Sequence, residues 1–191
     1  VDPIAVSARI INGLQYIISR NAELTKEAAV ITVGIVQAGV RFNIIPEEAY
    51  FEGTIRTLDA DMKKMIHAKI RKTAENIADI EGATVEVEII ENAPLTYNDP
   101  ELTQKMASSL QKTVGKENLH VMKAITGAED FSYFQQKIPG LYFFIGGLPA
   151  DKPEGQTLGG HHTPDFFVDD TGMITGVKAF INLTLDYMVA E

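Results

Sequence analysis

Two of the four histidines stand side by side in Gly159-Gly160-His161-His162-Thr163-Pro164-Asp165. A neutral imidazole is a common metal ligand, and a neighbouring carboxylate can fix its tautomer. The same pair also reads as two solvated loop histidines, since loops carry many exposed polar side chains. A metal site needs three or four ligands. The sequence holds no cysteine, no His-x-x-x-His pair and no His-Glu-x-x-His helix, so further ligands must come from elsewhere. A second cluster, Gly127-Ala128-Glu129-Asp130-Phe131, sets two carboxylates at a strand-to-helix turn, where α/β proteins place their sites. Glu129 equally completes a capping box with Thr126, and Asp130 suits the positive start of a helix. Arg56 lies on the polar face of a strand, and Asn43 in the turn before Pro46. A guanidinium fork grips a carboxylate through two parallel bonds, and an amide both donates and accepts. An ion pair of Arg56 with Glu52 or Glu48 and a turn-forming Asn43 explain the same residues without a ligand. His67, on a helix among Lys63, Lys64 and Lys69, is expected in solvent, and His120 is expected to pack in a strand.

The chain has 191 residues, 45% hydrophobic and 23% charged, which excludes wholesale disorder and fibrous classes. A net charge of −9 argues against binding a phosphate backbone or an anionic membrane surface. Without cysteine there is no thiol catalysis and no Cys-based zinc site. No apolar run approaches the about 18 residues that a spanning helix requires. Gly-x-Ser-x-Gly, P-loop and dinucleotide fingerprints are missing.

The elements that must position these residues follow from periodicity and punctuation. Asp2-Pro3 starts a helix with Ile4, Ala8, Ile11, Leu14 and Ile18 on its apolar face. Strands follow over 28–36, with Ile31, Val33 and Ile35 inward, and over 48–58, with Phe51 and Ile55 inward. Asp59 caps a helix with Met62, Ile66, Ile70, Ile77 and Ile80 inward, which Gly82 ends. Thr84–Ile90 alternates as a half-buried strand. The order α-β-β-α-β is the split βαβ pattern without its first strand, so an N-terminal truncation before Val1 is expected. Composition shifts at Asn92-Ala93-Pro94. Beyond it come a helix from Asp99-Pro100 to about Val114, a short strand over Leu119–Ala124, and a short helix from the Thr126 capping box to about Gln136. The run Leu141–Ile145 has the composition of a strand buried on both faces. A long loop over 146–169 leads to a last helix, capped by Asp170, with Met173, Val177, Ile181 and Met188 inward.

Taken in order, these segments resemble a known family. They are Val1-Asp2-Pro3-Ile4, the stretch Gly13 to Arg20, Phe42-Asn43-Ile44-Ile45-Pro46, Gly53-Thr54-Ile55-Arg56-Thr57, Gly127 to Ser132, Pro139 to Gly146, and His162-Thr163-Pro164. The whole is similar to the C-terminal half of the metal-dependent amidohydrolases that include hippurate hydrolase, indole-acetyl-amino-acid hydrolases and thermostable carboxypeptidases. The resemblance implies an α/β fold in which residues 1–94 form a ferredoxin-like α+β lid, or dimerisation, domain lacking its first strand. Residues 95–191 would be the returning segment of the catalytic domain. It implies two divalent metals in the complete enzyme (zinc, manganese, nickel or cobalt), a metal-activated water, and cleavage of the amide bond of N-acyl amino acids or small peptides. By motif position His162 is the last metal ligand, while Asn43 and Arg56 hold substrate, often across a homodimer joined through the lid. Glu129, Asp130 and His161 fall near the site without an assigned role. The family's remaining ligands and its general base precede the lid, so a chain of this extent is expected to be inactive and to bind metal weakly at most.

The acidic balance leaves no place for nucleic acid or membrane as partner, and a cytoplasmic protein is expected, with a periplasmic or secreted one left open. Two other readings stand beside the resemblance. An acidic ferredoxin-like unit can serve as a non-catalytic small-molecule-binding or dimerisation module. A self-contained hydrolase would have to draw its ligands from His161, His162, Glu129 and Asp130.

Overall fold

A computed structural model describes residues 1–149 and 159–189, so the middle of the expected 146–169 loop lies outside the described residues. The chain divides into two compact units. One comprises Val1–Leu95 with Ile125–Ala128, the other Thr96–Ala124 with Glu129–Glu191. The architecture is mixed α/β, and among the described residues the sheet has two antiparallel strands.

The first unit opens with helix α1, Pro3–Arg20. The Asp2 carboxylate accepts from the backbone N–H groups of Ile4 and Ala5, and Pro3 sits where a missing N–H costs nothing. Its buried stripe is Val6, Ile10, Leu14 and Ile17, which keeps Leu14 of the expected face and otherwise turns away from it. Ile4 is exposed, and Ile11 and Ile18 are half-buried. Both stripes have helical spacing, and packing against the rest of the unit selects the one centred on Ile10. Strands β1, Ala29–Ala38, and β2, Ala49–Thr57, pair from Ala29↔Thr57 to Ala38↔Ala49. The register shifts between Val33 and Ile35, so Gly34 is an extra residue and the alternation beyond it reverses. That bulge sets Ile35, expected inward, opposite Glu52, and beyond Gly34 both faces of the strand are exposed.

Helix α2, Ala60–Glu81, starts where Asp59 accepts from the Met62 N–H and ends at Gly82, whose φ of 69° is left-handed. It buries Met62, Ile66, Ile70, Ala74 and Ala78, while Ile80 is exposed, against expectation. Helices α1 and α2 approach closely at Gly13, where a Cβ would meet Thr73 Cγ2 at 2.8 Å. Full burial of a side chain such as Ile66 contributes about 1.5–3 kcal/mol, and these residues form the unit's core. The expected strand Thr84–Ile90 keeps the period of a strand but joins no ladder among the described residues. Val85, Val87 and Ile89 pack on the core, and Thr84, Glu86 and Glu88 face out. Burial alone fixes the alternation, whereas a ladder needs a partner backbone. The segment is fastened instead by side chains of α2: Arg71 donates to the Val87 carbonyl, and Lys63 pairs with Glu91 at 2.5 Å. His67, expected in solvent, is half-buried, and its Nδ1 lies 3.9 Å from Glu91.

The second unit holds α3, Pro100–Val114, α4, Phe131–Gln135, and α5, Met173–Val189, with 3-10 turns at Lys116–Asn118 and Asp170–Gly172. Asp99 caps α3 by accepting from the Leu102 N–H. Helices α3 and α5 pack through polar side chains. The fully buried Ser109 hydroxyl donates to Asp186 at 2.6 Å, Lys112 pairs with the same carboxylate, and Asn182 donates to Thr113. These bonds, Ser109 foremost, hold the Asp186 carboxyl below its ordinary range. The α5 face is a correction: Met173, Val177, Ile181 and Met188 are exposed, and Gly176 and Ala179 are buried. Small residues permit the close approach, for a Cβ on Gly176 would meet Ile145 Cδ1 at 2.6 Å. The cap also moves by one residue, because Asp169 rather than Asp170 accepts from the Thr171 N–H.

Neither expected strand of this unit forms a ladder among the described residues. Leu119–Ala124 is irregular, Val121 is fully exposed, and His120 is exposed rather than packed. Leu141–Phe143 is half-buried, and Phe144 and Ile145 are exposed. One side chain stands in for a strand neighbour there: Asn98 accepts from the Tyr142 N–H and donates to the Tyr142 carbonyl, each at 2.7 Å. No helix is long and apolar enough to cross a membrane among the described residues.

Candidate functional site

The sequence-predicted residues divide between the two units. Asn43 and Arg56 belong to the first, and Glu129, Asp130, His161 and His162 to the second. Asn43 is exposed in the loop that joins β1 to β2, on a groove of about 510 Å³ lined also by Ile4, Arg41, Phe42, Ile45 and Pro46. The loop begins at Gly39, whose φ of 73° turns the chain out of β1. Phe42 stands wholly exposed beside Asn43. Arg56 projects from the outer face of β2, and its Nη1 donates to the Thr126 carbonyl at 2.6 Å. Of the two carboxylates weighed as ion-pair partners for Arg56, Glu48 and Glu52, the second accepts from the Tyr50 hydroxyl at 2.6 Å, which raises the Tyr50 pKa. Thr126 accepts from Arg56 through its backbone carbonyl, and the N-cap position of α4 falls to Asp130.

Helix α4 begins after Asp130, which makes no side-chain cap bond, so the expected capping box is not formed. Glu129 acts through its backbone carbonyl, which accepts from the Ser132 hydroxyl at 2.5 Å. Its carboxylate takes a hydrogen bond from Tyr142, and burial first, then that bond, pushes the Tyr142 hydroxyl up. Asp130 is exposed.

The histidine loop is closed by short-range bonds. Thr163 Oγ1 donates to the Gly160 carbonyl at 2.7 Å, the Phe166 N–H donates to the Thr163 carbonyl, and Gly159 bridges to Phe166. His161 packs its ring against Phe166, with centroids 4.8 Å apart. His162 is exposed and adopts a φ of 64°, a left-handed conformation rare outside glycine. It takes part in no hydrogen bond among the described residues, so its ring is chemically free to act as a metal donor. The described residues contain no group of three His, Cys, Asp or Glu able to hold a metal ion. A self-contained centre drawn from His161, His162, Glu129 and Asp130 is therefore not assembled among the described residues.

Sequence reasoning did not anticipate Thr126 as the partner of Arg56 or Phe166 as the partner of His161. The first joins residues 70 apart in the chain and leaves no local signal. The second had one, an aromatic shortly after a turn-rich His-His-Thr-Pro segment.

Comparison with known proteins decides the family. The profile of Peptidase family M20/M25/M40 matches residues 8–186. The chain belongs to this family. Thermostable carboxypeptidase 2 of Saccharolobus solfataricus is 34% identical over 98% of the chain and 46% of its own length. N-acetylcysteine deacetylase of Bacillus subtilis is 32% identical over 97% of the chain and 46% of its length. Among solved structures, the Bacillus subtilis YXEP protein, described as a dinuclear metal binding peptidase from the M20 family, superposes with a TM-score of 0.67. It shares 28% identity over 97% of the chain and 46% of that structure. The chain thus spans about half the length of the curated M20 relatives it matches.

Proposed function

We propose that the whole protein is a metal-dependent hydrolase of the M20 type, cleaving the amide bond of N-acyl amino acids or small peptides. The carrying observation is family membership over residues 8–186, with relatives named as a carboxypeptidase and a deacetylase. Residues 1–94 act as a ferredoxin-like lid, and residues 95–191 as the returning segment of the catalytic domain. His162 supplies one ligand to a pair of divalent metals, whether zinc, manganese, nickel or cobalt. When bound, such a pair polarises the amide carbonyl and lowers the pKa of an attacking water. Asn43 offers both a donor and an acceptor to the substrate, and Arg56 offers a guanidinium to its carboxylate. Glu129 and Asp130 fall near the site without an assigned role.

A single imidazole cannot organise a dinuclear centre, so this stretch alone binds metal weakly and does not turn over substrate. The protein works as a homodimer through the lid, in the cytoplasm, with no nucleic-acid or membrane partner. The test is hydrolysis of a panel of N-acetyl amino acids and dipeptides by the whole protein with added divalent metal. Turnover of at least one class, lost in His162→Ala, supports the proposal. No turnover of any panel member with a fully metallated protein overturns it.

A further inference from the structure

The two adjacent histidines do different work. Their ring centroids lie 6.5 Å apart. With metal–nitrogen bonds of about 2.0–2.1 Å, two imidazoles on one tetrahedral ion bring their centroids to about 5 Å. The observed pair is wider, so His161 and His162 do not converge on one ion. His161 is instead engaged by Phe166, at 4.8 Å and an interplanar angle of 37°. Phe166 is fixed in turn by its N–H bond to the Thr163 carbonyl and by the bridge to Gly159. Gly159 has no room for a side chain, since a Cβ there would meet the Asp165 carbonyl carbon at 2.6 Å. The result is a tight turn that packs one histidine on its own base and carries the other in a left-handed conformation. A non-glycine residue keeps such a conformation only when its surroundings over-determine it.

Resting on the reading of His162 as a metal ligand, we infer that His161 is a positioning residue. Its ring, clamped on Phe166, holds the turn in which His162 faces the metal. The aromatic face of His161 matters, and its nitrogens do not. The experiment is metal affinity of the whole protein, measured by competition with a chromophoric chelator using zinc as the probe. His161→Ala weakens zinc affinity about 10–100-fold, the size expected when a group supporting a ligand is removed. His161→Phe restores it. Phe166→Ala gives a similar loss, and the double variant His161→Ala/Phe166→Ala loses no more than either alone, as expected when two residues act through one contact. Thermal melts of the apo variants check folding, and the restored His161→Phe protein carries the conclusion if the alanine variants fold poorly. Loss of affinity in His161→Phe equal to that in His161→Ala would make His161 a ligand and overturn the inference, as would unchanged affinity in His161→Ala. The underlying reading fails separately, if His162→Ala leaves zinc affinity unchanged.

Discussion

Asn43 and Arg56 stand at opposite ends of one β-hairpin. The Ala38↔Ala49 pair flanks the Asn43 loop, whereas Arg56 pairs with Val30 near the other end. Ala49 and Arg56 are seven residues apart on one strand, which at about 3.3 Å per residue is about 23 Å. An N-acyl amino acid is far shorter than that. On the proposed reading, in which both residues serve one short substrate of a homodimer, they would come from two copies of the chain.

That relationship predicts complementation. In the whole protein, Asn43→Ala and Arg56→Ala should each be inactive or nearly so as homodimers. Mixed, unfolded and refolded together, they should recover about a quarter of wild-type activity, because half the dimers are mixed and each has one intact site. Activity assays on the mixture check this, and no recovery would place both residues in one copy's site or in none.

Core and surface positions on α2 should separate cleanly. Ile66 is fully buried, so Ile66→Ala should cost about 2–5 kcal/mol of stability in denaturant unfolding. Ile80 is 71% exposed, and Ile80→Ala should fall within about 0.5 kcal/mol of wild type.

Acid should loosen the start of α2. Lys26 bonds to Asp59 at 2.6 Å, and that bond, followed by the Met62 N–H, holds the Asp59 carboxyl below its ordinary 3.8. A depressed carboxyl contributes stability that is present above the unfolded pKa and lost as pH falls through the folded one. Asp59→Asn keeps a capping oxygen but removes the titration. Its unfolding midpoint should therefore fall less than that of wild type below about pH 4. An identical acid response in the two proteins would contradict this.

His67 should act at higher pH. Burial lowers its pKa from 6.5, with Lys63 and Arg71 adding to the effect and Glu91 opposing it. The unfolded chain then binds a proton more readily than the folded one, so stability falls as pH drops from about 6.5 through the folded pKa. His67→Gln should flatten that part of the stability–pH curve, which urea titrations across pH 5–8 measure.

Much of the first unit was legible because its signals are local. Asp2-Pro3, Asp59 and Gly82 mark helix ends by their own chemistry, and the structure places caps there. What failed depended on neighbours. The stripe chosen on α1 and the small-residue face of α5 are decided by what packs against them, and the Gly34 bulge set Ile35 opposite Glu52. Strand composition at Thr84–Ile90 and Leu141–Ile145 did not yield ladders among the described residues, since a ladder is a property of two backbones. At the site, motif order pointed to His162, but only geometry shows its free ring and the separate engagement of His161.

The most direct test of membership in a metal-dependent hydrolytic system is one assay series on the whole protein. Hydrolysis of N-acetyl amino acids is followed before dialysis against chelator, after it, and after zinc or manganese is restored. Activity that disappears on chelation, returns with metal, and is absent from His162→Ala throughout is the expected result. Hydrolysis that survives complete metal removal, verified by elemental analysis, would contradict the account.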